Sequence, residues 1–66
     1  MKIILNGQEK KLNPSQNLAQ TITQFCKETN RVIAEVNGAI IKSPEWSKTI
    51  LKDGDCIELV SFVGGG

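Results

Sequence analysis

The chain has 66 residues, room for one domain with a single modest core. A domain this small buries only about 60% of the surface its unfolded chain exposes, so a deep pocket with a full catalytic apparatus is not expected. The formal net charge of +1 argues against the dense basic surface that nucleic-acid binding by charge requires. No apolar run, Ile3, Ile4 and Leu5 included, is long enough to span a bilayer or form a signal peptide. Cys26 and Cys56 do not form closely spaced pairs, so a reducing, cytoplasmic setting without membrane attachment is the expectation.

Residues 2–6 are rich in β-branched side chains and run into Asn6 and Gly7, a pair suited to the positive φ angles of a tight hairpin turn. Residues 9–12 return as a second strand, and Asn13, Pro14 and Ser15 then break regular structure. Asn17 is a good helix N-cap, with Gln20 placed three residues later to complete a capping box. Leu18, Ile22, Phe25 and Thr29 form one stripe of that helix, with Ala19 and Cys26 at its margins, and Asn30 is its predicted end. A third strand follows over 32–36, then a second Asn–Gly pair at Asn37 and Gly38, then a short strand over 39–41. Pro44 marks a single helical turn that carries Trp46, a candidate cap over the core. Ile50 and Leu51 form a further short pairing, and Asp53 and Gly54 make the last turn before a strand over 55–63.

Two strands, a helix and more strands make an α+β plan, with the helix on one face of a mixed sheet of four to five strands. The first and last strands are expected as parallel neighbours in its middle. The alternation of the last strand puts Ile57 and Leu59 on one face, and Glu58, Val60 and Phe62 on the other. No repeat or interior linker interrupts residues 1–63, and residues 64–66 are expected as a flexible glycine tail.

Gly64, Gly65 and Gly66 close the sequence. At an average glycine usage of about 7%, such a triple arises by chance roughly three times in ten thousand chains, so it calls for an explanation. A frayed terminus is one. The functional alternative is physical: glycine has no Cβ, so its backbone enters a narrow slot and leaves a terminal carboxylate open to attack. Three extended residues reach about 10 Å into a partner's active site. A carboxylate is unreactive at neutral pH, and must become a mixed anhydride, such as an acyl-adenylate made from ATP, before sulfur can replace oxygen.

The short length, Asn37 and Gly38, Asp53 and Gly54 before the last strand, and the closing glycines resemble the ThiS family of thiamine-biosynthesis sulfur carriers. The run from Val36 through Ile40 and Ile41 to Trp46 is especially similar. The resemblance implies a β-grasp, ubiquitin-like fold and no enzymatic activity of its own. It implies that a ThiF-type enzyme, consuming ATP, adenylates the carboxylate of Gly66. A persulfide-bearing protein then supplies sulfur, and the thiocarboxylate gives it to a ThiG-type thiazole synthase. Gly65 and Gly66 match the family's double glycine, and Gly64 lengthens the tether. No cofactor is expected to be bound by the carrier itself.

Val60 and Phe62 lie just before this tail on the face opposite Ile57 and Leu59. They are the candidate docking patch, with Val63, Gly64, Gly65 and Gly66 as the segment a partner would grip. Cys26 and Cys56 are read as small buried packing residues, and without histidine the chain lacks the usual ligands of a zinc site. Asp53 and Asp55 suit local turn hydrogen bonding better than acid–base chemistry. Three other functions remain open. A MoaD-like subunit of molybdopterin synthase would use the same terminal chemistry, though its proline-rich approach is missing from residues 60–63. A ubiquitin-like modifier would form an amide with lysine, and a β-grasp binding module would have no terminal chemistry at all.

Overall fold

The computed structural model of the chain describes residues 1–62. Strands β1 (Lys2–Leu5) and β2 (Gln8–Lys11) form an antiparallel hairpin. Asn6 and Gly7, with φ of +49° and +81°, make the turn, both central residues lying in the positive-φ region that matches the twist of paired strands. Helix α1 (Leu18–Phe25) follows, then a 3₁₀ turn at Thr29–Arg31 and strands β3 (Val32–Val36) and β4 (Ala39–Ile41). A longer 3₁₀ segment, Ser43–Lys48, precedes the last strand, β5 (Cys56–Ser61).

The sheet order is β2-β1-β5-β3-β4. β5 is therefore the central strand, parallel to β1 as expected and antiparallel to β3. Residues 50–51 contribute an isolated bridge, Asn17 with Ile50.

The helix packs on one face of this sheet. Its start is fixed by the capping box: the Asn17 side chain accepts from Gln20 N at 2.8 Å, and Asn17 N donates to the Gln20 side chain at 2.9 Å. Leu18 and Ile22 are fully buried against Ile3, Leu5, Ala34, Ile57 and Leu59 of the strands, with Leu12, Val32, Trp46 and Leu51 closing the core. Trp46 caps it as expected, its indole N–H donating to Ile41 O at 2.8 Å.

The helix is shorter than its spacing predicts. It ends at Phe25, with Cys26 already extended, rather than near Asn30. Past Ile22 its apolar stripe runs out: Phe25 is 38% exposed, its ring beneath the Lys10 ammonium at 5.7 Å, and Thr29 belongs to the 3₁₀ turn. Thr21 takes the buried place instead. Its hydroxyl donates to Asn17 O and accepts from the amide of Gln16, another buried polar residue, each at 3.0 Å. Hydrogen bonding is what makes burial of these polar groups tolerable.

Cys26 is half-buried against the core, whereas Cys56 is exposed rather than packed. Cys56 begins β5 on the face away from the helix, where the two-residue period of a strand places it with Glu58 and Val60.

Candidate functional site

The site is built on β5. Ile57 and Leu59 point into the core, and the residues between them point away, so the strand's outer face is set by its inner one. Val60 is 54% exposed and Phe62 47% exposed, the partial exposure expected from the alternation of the strand. The exposed apolar surface is wider than the sequence indicates. Ile33 of β3 lies directly across from Val60 and is 45% exposed, and Ile40 of β4, diagonal to Ile33, is 65% exposed. Diagonal neighbours on one sheet face lie within reach of each other's side chains. Ile40, Ile33, Val60 and Phe62 thus form an apolar strip crossing three strands toward the end of β5. The signal for Ile33 is present in the alternation of β3, but joining it to Val60 requires the strand register.

The strip has an acidic border. Glu35 stands opposite Glu58 on the same face. Like charges placed directly opposite are mildly destabilising in a sheet.

Other polar groups near β5 are committed to the fold. Asp53 accepts from Lys2 N at 2.7 Å, and Asp55 accepts from Lys52 N and the Asn37 amide at 2.8 and 2.9 Å. These are the turn bonds expected of the two carboxylates. Two asparagines then hold β5 on opposite sides. Asn37 accepts from Cys56 N at 2.9 Å through its side chain. Asn6 accepts from Leu59 N at 2.9 Å and donates to Leu59 O at 3.2 Å.

Solvent-open concavities flank the body. One is lined by Asn13, Pro14, Ser15, Gln16, Gln20 and Gln24; another lies between Trp46 and strands β3 and β4; a third is lined by Lys2, Glu9, Lys10 and Lys11 of the β1–β2 hairpin. Lys42 is the sole titratable side chain among the described residues lining the first two. Among the described residues no group of histidine, cysteine, aspartate or glutamate is arranged to hold a metal ion, and no helix is long and apolar enough to cross a membrane. Val63, Gly64, Gly65 and Gly66, together with the expected boundary between body and tail, lie outside the described residues.

A five-stranded mixed sheet with β5 at its centre and one main helix across a single face defines a ubiquitin-like β-grasp domain. The crystal structure of a thiamine biosynthesis protein (ThiS) from Geobacter metallireducens has the same fold, with a TM-score of 0.86, 28% sequence identity and complete coverage of both chains. The ThiS family model matches residues 3–66, and the chain belongs to the ThiS family. Among curated relatives, a thiazole synthase of Paramagnetospirillum magneticum is 29% identical over 66 residues. That match takes in all of this chain and 20% of the relative, so the chain spans a fifth of that protein's length. An uncharacterized protein, ycf40, of Trieres chinensis is 32% identical over 62 residues, covering 94% of this chain and 85% of its own.

Proposed function

We propose that the chain is a sulfur carrier for formation of the thiazole ring of thiamine, with the carboxylate of Gly66 as its working group. The observation that carries this reading is that the family match runs through Gly66, taking in the whole glycine run. The similarity to a thiazole synthase supports an acceptor of the ThiG type, since in that protein a stretch like this chain belongs to the same polypeptide as the synthase.

The chemistry follows from the inertness of a carboxylate. A ThiF-type enzyme aligns a Gly66 carboxylate oxygen with the α-phosphorus of ATP. The new O–P bond forms as pyrophosphate leaves, giving an acyl-adenylate. A protein persulfide attacks the acyl carbon and expels AMP, leaving an acyl disulfide. A second thiol then attacks the sulfur still attached to the donor protein, forming a disulfide with it and freeing the thiocarboxylate, the nucleophile passed to the synthase. The carrier contributes placement: a slender glycine segment admits the acyl group to each active site while the apolar strip grips the partner outside. In this reading the carrier binds no cofactor, the ATP belonging to the activating enzyme, and the reactions take place in the cytoplasm.

Intact mass spectrometry tests this. With ATP, a ThiF-type enzyme and a persulfide donor, the expected product is about 16 Da heavier, with oxygen replaced by sulfur at an activated acyl group, and fragmentation places the change at Gly66. A chain that never acquires sulfur, or that joins a lysine through Gly66, would overturn the assignment.

A further inference from the structure

In an antiparallel pair the main-chain groups of successive residues point alternately to one neighbour and the other. Phe62 N donates to Arg31 O at 2.9 Å, and Asn37 N donates to Cys56 O at 2.7 Å. The even-numbered residues of β5 therefore face β3, and the odd-numbered ones face β1. Ile57 O accepts from Asn6 N at 2.9 Å. Leu59 is satisfied by a side chain, the Asn6 amide taking the place of a strand neighbour for both its N–H and its C=O. The next odd residue is Ser61.

There the partner strand has gone. The β1–β5 register ends with Leu5 opposite Ile57, and the turn at Asn6 and Gly7 carries the chain back into β2. Among the described residues the pairing of Ser61 is with Val32 of β3 alone, a position whose N–H and C=O are directed the other way. Ser61 is exposed. β5 thus has a closed edge as far as Leu59 and an open one at Ser61, five residues before Gly66.

The geometry points to a strand-pairing seat: the N–H and C=O of Ser61 receive an extended main-chain segment of the adenylating enzyme that acts on Gly66. This rests on the reading of Gly66 as the acyl donor. Five extended residues span about 17 Å, so an ATP site that receives Gly66 brings its enzyme's surface alongside this edge. Side chains on a flat apolar strip permit sliding, whereas main-chain pairing sets the position of the strand to a fraction of the roughly 3.3 Å residue repeat. A carboxylate is a weak nucleophile and gains most from such placement in line with phosphorus. The same segment would extend the sheet on the side where Asn6 has stopped it.

Proline gives a direct test, because it is tolerated in a strand where its missing N–H would face away from the neighbouring strand. Ser61→Pro removes the donor and leaves the bonds of Val60 and Phe62 toward β3. Ser61→Ala keeps the N–H and calibrates loss of the hydroxyl. With a ThiF-type enzyme and ATP, Ser61→Pro should lower kcat/KM for acyl-adenylate formation roughly tenfold below Ser61→Ala, the factor one main-chain hydrogen bond carries. Hydrogen exchange on the unaltered chain needs no variant: the Ser61 amide should exchange freely alone and become protected in the complex with that enzyme. Equal rates for the two variants, or a Ser61 amide that exchanges unchanged in the complex, would sink the seat while leaving the carrier reading intact. Protection by a thiazole synthase but not by the adenylating enzyme would overturn the choice of partner. An unaltered chain that is not adenylated removes the carrier reading and the seat together.

Discussion

β5 presents apolar side chains to both sides of the sheet, and the two sides meet different fates. Ile57 and Leu59 lie under helix α1 in the core; Val60 and Phe62, of similar character, stay about half exposed beside Ile33 and Ile40. Burial of an apolar side chain is worth about 1.5–3 kcal/mol, and the inner residues collect it within the chain. The outer residues collect only part of it within the chain and can gain the rest only against something else. On this strand an alternation of residues therefore divides the core face from the solvent-facing one, and the Glu35–Glu58 pair sits on the solvent-facing side.

The largest expected effect comes from cutting into the inner face. Ile57→Ala should cost about 2–5 kcal/mol, most of the roughly 3–10 kcal/mol that typical per-residue stability gives a domain of this length. Urea unfolding checks it, and a loss below 1 kcal/mol would mean that the two faces are less distinct than they look. Next comes the clamp between β1 and β5. Asn6→Ala removes both side-chain bonds to Leu59 and puts alanine at a positive φ; a loss of about 1–3 kcal/mol is expected, with faster exchange of the Leu59 amide. The smallest effect on stability belongs to the outer face. Phe62→Asp should change it by about 1 kcal/mol, yet weaken binding to a ThiF-type enzyme on the order of tenfold or more, as loss of an aromatic anchor does. A folded Phe62→Asp variant with unchanged affinity would reject the docking patch.

Much of this architecture is legible in the sequence because its signals are local. Both Asn–Gly pairs, the Asn17–Gln20 box, the turn carrying Trp46 and the alternation of β5 are set by neighbours a few residues apart, and each is found where those rules place it. The candidate patch residues Val60 and Phe62 follow from the same alternation. What escapes depends on distance. The helix stops at Phe25, with Cys26 already extended and Phe25 itself partly exposed, and the spacing of the stripe alone cannot reveal that. Ile33 and Ile40 join the patch through strand register. Asn6 reads as a turn former, and its second task spans 53 residues of sequence. Cys56 resembles a packing residue until its position on β5 turns it outward.

The middle of the sheet joins the first strand to the last, with 52 residues separating Ile4 from Cys56. Closing so long a loop must precede the contacts that reward it. A chain broken off before β5 would lack the strand that both halves of the sheet lean on, and the hairpin of β1 and β2 would have no route to β3. β5, the last strand of the sheet in chain order, is thus the one through which its two halves are joined.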